Sequence, residues 1–278
     1  MVYETIPIPG SSQAYCETYR VESQFSHQPR PAVIICPGGG YERVAVRVGE
    51  LLALQFCAAG FHAFILHYQT PPPQATQPIT ELAHTMALLR SHSTSWELDP
   101  NRIAVFGESA GGHLAASLGV FWSSAWLTQL TGLTSEEIQP NALVLAYPVI
   151  TAGPFRHDDS FRTLLGNSYS PQALEQWSVE RYVGSQMPPT FMWHTAEDEL
   201  VPVENSLLLS GALSAANVPF ALHVFPNGRH GMALCSRETA RNPQEIHPQT
   251  KLWVPLAVQW LRQEFCFQDD VFVSPTSV

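Results

Sequence analysis

Residues 102–121, RIAVFGESAGGHLAASLGVF, decide how the rest of the chain is read. Residues 102–106 form a short, mostly apolar run containing Ile103 and Val105, the composition of a buried strand. Residues 110–121 are rich in Ala and Leu and free of proline, so they predict a helix. Between the two stands Gly107-Glu108-Ser109-Ala110-Gly111, a GxSxG pentapeptide. By itself the pentapeptide is weak, because chance yields about one per ten chains of this length. Set between a strand and a helix it becomes a sharp elbow. The flanking glycines remove Cβ atoms that would collide, and Ser109 is left exposed at the carboxyl edge of a sheet. The helix N-terminus behind it points N–H groups at incoming negative charge. Ser109 is therefore the candidate nucleophile.

Outward from this elbow, short apolar runs alternate with longer helical patterns. Segments 31–36, 62–67, 102–106, 142–147, 190–194 and 220–225 read as buried strands, since their apolar character is continuous rather than alternating. Helices are expected over 44–59, 79–91, 110–121, 172–182, 203–216 and 248–265, with Pro202 ahead of the fifth and Asn217 closing it. Strands alternating with helices imply right-handed crossovers and a mainly parallel sheet with helices on both faces. The first thirty residues read instead as an antiparallel hairpin at the sheet edge, turning at Pro9-Gly10. Residues 69–78 are a proline-rich loop and 151–170 an irregular excursion, neither of them a linker. The expectation is one α/β domain over residues 1–278 with a small or absent cap. Residues 268–278 are expected to form a loosely held tail.

A serine hydroxyl of ordinary acidity needs a base, and the base needs a group to orient it. An acid belongs in the loop after strand 190–194, where Glu197, Asp198 and Glu199 compete. Asp198, in a D-x-x-V-P arrangement with Val201 and Pro202, is the choice. After the last strand, Pro226-Asn227-Gly228-Arg229-His230-Gly231 places a histidine between glycine-containing turns, and His230 is the candidate general base. Three glycines, Gly38-Gly39-Gly40, follow strand 31–36 and can turn their amides toward a ligand. Gly39 and Gly40, together with the amide of Ala110, are the expected donors to an oxyanion. His62, His67, His194 and His223 fall on strands and read as core or sheet-edge residues. His113, four residues beyond Ser109, reads as a packing residue. His157 lies in the irregular excursion and is a lesser site candidate.

At 278 residues, with 45% hydrophobic and 14% charged residues, the chain can bury a substantial core. Its formal net charge of −10 offers no electrostatic footprint for nucleic acid or an anionic membrane. No run approaches the roughly 18 apolar residues of a membrane span, and the N-terminus lacks the pattern of a secretory signal. Cys16, Cys36, Cys57, Cys235 and Cys266 are odd in number and scattered. That spacing fits neither a disulfide framework nor a zinc site, and points to a cytoplasmic location. No metal or cofactor is expected. A homo-oligomer is compatible with the sequence.

The ordered set CPGGGY (36–41), LDPNRIAVFGESAGGHLAASLG (98–119), YPVIT (147–151), LLG (164–166), PPTFMWHTAEDELVPVENS (188–206) and FPNGRHGMAL (225–234) carries a resemblance over roughly residues 30–262. The chain resembles bacterial acetyl esterases and acetyl-xylan esterase-like hydrolases. These are α/β-hydrolase-fold enzymes near the hormone-sensitive-lipase and prolyl-oligopeptidase branches. Cys36 stands where hormone-sensitive-lipase relatives carry the His of HGGG. The resemblance implies catalytic Ser109, Asp198 and His230, oxyanion donors at Gly39, Gly40 and Ala110, and hydrolysis of short-chain carboxylic esters, including those of acylated carbohydrates. A small-molecule ester is the expected partner. Two rivals stay open: a peptidase or amidase of the prolyl-oligopeptidase type, and a non-catalytic binding protein on the same scaffold.

Overall fold

The computed structural model describes residues 1–22 and 28–267; the tail expected at 268–278 lies outside the described residues. Its centre is an eight-stranded sheet in the order β1-β2-β4-β3-β5-β6-β7-β8. The strands are β1 (Val2–Pro7), β2 (Tyr15–Arg20), β3 (Arg30–Cys36), β4 (His62–His67), β5 (Leu98–Glu108), β6 (Ala142–Ala146), β7 (Thr190–Thr195) and β8 (Phe220–Phe225). The hairpin β1–β2 pairs antiparallel within itself and with β4, and every other pairing is parallel. The edge hairpin therefore lies where the sequence placed it, with Gly10 at φ 79° in its turn.

The helices are α1 (Val46–Ala58), α2 (Gln77–Ser91), α3 (Ala110–Phe121), α4 (Ala125–Thr131), α5 (Ser135–Ile138), α6 (Asp158–Leu165), α7 (Pro171–Gln176), α8 (Glu204–Ala215) and α9 (Trp253–Glu264). Successive strand residues point to opposite faces, so each central strand feeds two cores. On one face Ile34, Val105 and Leu145 meet Leu82 of α2, Leu114 of α3 and Leu209 of α8. On the other, Ile35, Phe106 and Val144 meet Phe56 of α1 and Trp253 and Leu261 of α9. This two-sided burial is why the strands read as unbroken apolar runs.

Four expectations need correction. β8 is a sheet edge rather than a buried strand: Phe220 and Val224 are exposed. The helix expected over 172–182 breaks after Gln176 and resumes as a 3-10 turn, Val179–Tyr182. Tertiary bonds cause the break: the Trp177 carbonyl accepts from His113 Nε2 and the Ser178 hydroxyl accepts from the Ala152 amide. The excursion 151–170 is not irregular throughout, since it contains α6, capped by His157. The last helix begins at Trp253 rather than 248, after a 3-10 turn at Thr250–Leu252. The sequence reading also passed over α4 and α5, although Thr134 and Glu137 form a capping box at α5. Among the described residues no helix is long and apolar enough to cross a membrane.

Because β3, β5, β6, β7 and β8 run parallel, the loops after them converge on one edge of the sheet, where ligands bind in open α/β sheets.

Candidate active site

Ser109 sits directly after β5 with φ 54° and ψ −122°. A residue other than glycine in this left-handed region costs on the order of 1–3 kcal/mol and persists only where its surroundings enforce it. Here its N–H donates to the Ala146 carbonyl at 3.0 Å, and its carbonyl accepts from His113 and Val149 amides at 3.2 and 3.0 Å. The glycines of the pentapeptide are sterically required. A Cβ on Gly107 would stand 2.2 Å from the Gly111 carbonyl oxygen, and one on Gly111 would stand 2.1 Å from that of Cys36.

The elbow brings together residues far apart in the chain. Ser109 Oγ lies 2.8 Å from His230 Nε2, and His230 Nδ1 lies 2.7 Å from Asp198 Oδ2. A carboxylate can only accept, so Nδ1–H donates to Asp198 and Nε2 is free to accept the serine proton. The Asp198 side chain is fully buried. Its Oδ1 accepts the Leu200 and Val201 amides at 3.1 and 2.9 Å. Burial alone would raise the Asp198 carboxyl; hydrogen bonds from His194, His230 and Val201 overcome it and hold the group well below the usual carboxylate range. The competing carboxylates face elsewhere. Glu197 accepts from Asn227 Nδ2 and the Gly228 amide at 2.9 and 3.2 Å, and Glu199 is exposed.

The glycine loop passes beside Ser109: a Cβ on Gly38 would stand 3.0 Å from Ser109 Cβ. The Gly38 amide donates to Glu108 Oε1 at 3.2 Å. Gly39 and Gly40 adopt φ 128° and 66°, and a Cβ on Gly39 would stand 2.0 Å from the Arg43 carbonyl oxygen. The following residue, Tyr41, is buried and bonds His113 Nδ1 through its hydroxyl at 2.8 Å. The His113 Nε2–H donates to the Trp177 carbonyl at 2.8 Å. Burial lowers the His113 pKa to about 4, so the ring is neutral. His113 thus packs, as expected, and ties the glycine loop to the helix that starts at Ser109.

Two residues that the sequence reading did not single out buttress this arrangement. Buried Glu108 accepts the Tyr147 hydroxyl at 2.6 Å as well as the Gly38 amide. The Tyr147 ring meets the His230 ring edge-on at 4.9 Å, and its hydroxyl accepts the Ala233 amide. One buried carboxylate therefore links the glycine loop to the histidine loop. A charged residue at the buried end of an apolar strand was a readable signal for Glu108; nothing local marks Tyr147. Asn205 was also missed. Its side chain accepts the Ile150 and Thr151 amides at 2.9 and 3.1 Å and donates to the Phe155 carbonyl, which fixes the loop leading to His157.

His157 caps α6, with Nδ1 facing Ser160 Oγ at 2.8 Å. Burial first, and then the neighbouring His230, lowers its pKa. Cys36 is fully buried and burial pushes its thiol far up, so it is no nucleophile. Among the described residues no three His, Cys, Asp or Glu side chains are grouped to hold a metal. Beside His230 a polar depression of about 840 Å³ is lined by Glu197, Glu199, Leu200, Arg229 and Arg241. A more apolar cavity of about 610 Å³, lined by Phe121, Trp126, Trp177 and Tyr182, includes none of Ser109, Asp198 and His230.

The BD-FAE family model matches residues 21–213. Endo-1,4-beta-xylanase B of Butyrivibrio fibrisolvens is 35% identical over 218 residues, covering 75% of this chain and 33% of that protein. The acetylxylan esterase of Xylanibacter ruminicola is 27% identical over 206 residues, covering 72% of this chain and 40% of that protein. The chain thus spans between a third and two fifths of the length of these two relatives. Among solved structures, an acetyl ester-xyloside bifunctional hydrolase from Caldicellulosiruptor lactoaceticus superposes with a TM-score of 0.84 at 34% identity, covering 96% of this chain and 97% of that one. With an α/β-hydrolase fold and a family match across most of its length, the chain belongs to the BD-FAE family.

Proposed function

We propose that the protein is a serine carboxylesterase that hydrolyses short-chain, acetyl-like esters of carbohydrates. The observation that carries this reading is the continuous line Ser109 Oγ–His230 Nε2 and His230 Nδ1–Asp198 Oδ2, at 2.8 and 2.7 Å. That geometry suits a proton relay in which His230 takes the Ser109 proton as Oγ attacks the ester carbonyl. Asp198 holds the reactive tautomer and stabilises the imidazolium. The amides of Gly39, Gly40 and Ala110 receive the oxyanion. As the tetrahedral intermediate collapses, His230 returns its proton to the departing alcohol and an acyl-Ser109 ester remains. Water, deprotonated by His230, then attacks the acyl carbon; the carboxylic acid leaves and the proton returns to Ser109 Oγ.

The carbohydrate part of the proposal draws support from relatives described as an acetylxylan esterase and an acetyl ester-xyloside hydrolase. The polar rim beside His230 suits a hydroxyl-rich alcohol. The five unpaired thiols accord with a reducing, cytoplasmic setting. The test compares wild type with Ser109→Ala on p-nitrophenyl acetate, acetylated xylo-oligosaccharides and aminoacyl p-nitroanilides. Expected are ester turnover by wild type, a loss of several orders of magnitude in kcat for the variant, and covalent labelling of Ser109 by an organophosphonate. Labelling elsewhere, an active Ser109→Ala protein, or a preference for the anilides would refute the proposal.

A further inference from the structure

The proposed reaction uses one imidazole on Asp198, yet the fold supplies two. His194 lies at the end of β7, fully buried beside the fully buried Asp198 side chain. Its Nε2 stands 2.9 Å from the Val201 carbonyl oxygen and 3.3 Å from Asp198 Oδ2, while its Nδ1 stands 2.8 Å from Ser206 Oγ. A carbonyl oxygen offers lone pairs and no proton, so Nε2 must carry the hydrogen. The Ser206 hydroxyl can donate to Nδ1, which completes the contacts of a neutral ring. A second buried cation would cancel the negative charge on which the His230 imidazolium depends.

We propose that His194 is a neutral positioning residue for the catalytic acid: its Nε2–H, shared between the Val201 carbonyl and Asp198, pins Oδ2 at His230 and draws off part of its charge. This rests on the proposed Ser109–His230–Asp198 relay. A buried carboxylate has about four acceptor sites: here two amides bond Oδ1, His230 bonds Oδ2 at 2.7 Å, and the His194 Nε2–H faces the remaining site on Oδ2 at 3.3 Å. Both His194 and His230 act to hold the Asp198 carboxyl low. His194 also joins three segments, since it bonds the loop at Val201 and, through Ser206, helix α8. The ring therefore transmits the position of α8 and the strand to the acid.

The experiment has two arms. By ¹⁵N NMR of the active wild-type protein, His194 is expected to carry its hydrogen on Nε2, with Nδ1 accepting from Ser206. In kinetics, His194→Asn, whose short amide cannot reach Asp198, should lower kcat by about 10- to 100-fold, the scale of one hydrogen bond to a charged group, with KM little changed. The acidic limb of its kcat/KM profile should move upward, because Asp198 with one donor fewer binds the His230 proton more tightly. His194→Gln, whose amide nitrogen occupies the Nε2 position, should restore both. The titratable and charged groups around His230, namely Asp198, His157, Tyr147 and, across the polar depression, Glu197, Glu199, Arg229 and Arg241, are the same in both variants. A cationic or Nδ1-protonated His194 overturns the proposal. So does a folded His194→Asn protein whose limb stays put or moves down, or a His194→Gln protein as damaged as the His194→Asn one. If His194→Asn does not fold, the NMR tautomer and the limb of His194→Gln decide. Any of these failures alongside an inactive Ser109→Ala protein removes the role of His194 alone; an active Ser109→Ala removes the relay itself.

Discussion

Replacing Asp198 by asparagine keeps its size and asks only for a different hydrogen-bond pattern, which the structure does not permit. Oδ1 meets two backbone N–H groups, and Oδ2 meets the His230 Nδ1–H at 2.7 Å with His194 Nε2 3.3 Å away. A carboxamide has one oxygen and one NH₂, so donors face donors on whichever side the NH₂ is turned. If the oxygen stays with the amides, the NH₂ confronts His230, which escapes the clash by moving its proton to Nε2. That proton then points at Ser109 Oγ, and no base remains. A wrong-tautomer histidine lowers kcat by about 10⁴-fold, which is about 5.5 kcal/mol at 1.36 kcal/mol per tenfold. If the NH₂ turns to the amides instead, the conflict costs about 1–3 kcal/mol of stability. Glu197 and Glu199 lie on the solvent side, so Glu197→Gln and Glu199→Gln should stay within about 0.5 kcal/mol, roughly a factor of two. The assay is kcat/KM on p-nitrophenyl acetate together with a thermal melt of each variant. Activity of Asp198→Asn above a tenth of wild type with the fold intact, or a larger loss in either glutamate variant, would refute the reasoning.

Gly39→Ala should cost about 10²–10³ in kcat, because φ 128° and a Cβ 2.0 Å from the Arg43 carbonyl oxygen force the loop to move. Gly132→Ala, also at positive φ but with open space around it, should leave kcat unchanged; equal losses would show strain rather than oxyanion contact. Acid should destabilise the fold through His62 and His113, whose pKa values burial lowers from 6.5 to about 4. Stability from such groups is complete above pH 6.5 and is lost as pH falls toward 4, by about 2 kcal/mol per ring between pH 7 and 5. Urea unfolding of His62→Gln should show a correspondingly weaker pH dependence, and an unchanged slope would rule this out. Across p-nitrophenyl esters from C2 to C16, kcat/KM should peak between acetyl and about butyryl, without a rise above the critical micelle concentration. A peak at C10 or longer would contradict the short-acyl reading.

Much of this molecule is legible along the chain because its decisive signals are local. An elbow needs glycines on both sides of one serine, and Gly107 and Gly111 flank Ser109 in sequence whatever the rest of the fold does. Strands buried on both faces have to be apolar at every position, so β3, β5 and β6 announce a covered parallel sheet. The order of elbow, acidic loop and late histidine follows from the succession of strand ends. None of these inferences requires knowing which side chain faces which.

Facing is what only the tertiary structure decided. Glu197, Asp198 and Glu199 are chemically alike and consecutive. The loop's return through Leu200 and Val201 turns the middle one inward, onto two imidazoles, and leaves Glu197 to Asn227. Among the strand histidines, His194 looks like His223, yet β7 is interior and β8 is an edge, so one is sealed against the acid and the other is partly exposed. The break after Gln176 was invisible for the same reason: residues 172–182 have helical propensity, and the carbonyl of Trp177 and the hydroxyl of Ser178 leave the helix to satisfy His113 and Ala152, far away in the chain. Propensity is set by a residue and its near neighbours, whereas the partner of a buried polar group is set by whichever segment the fold brings within about 3 Å of it.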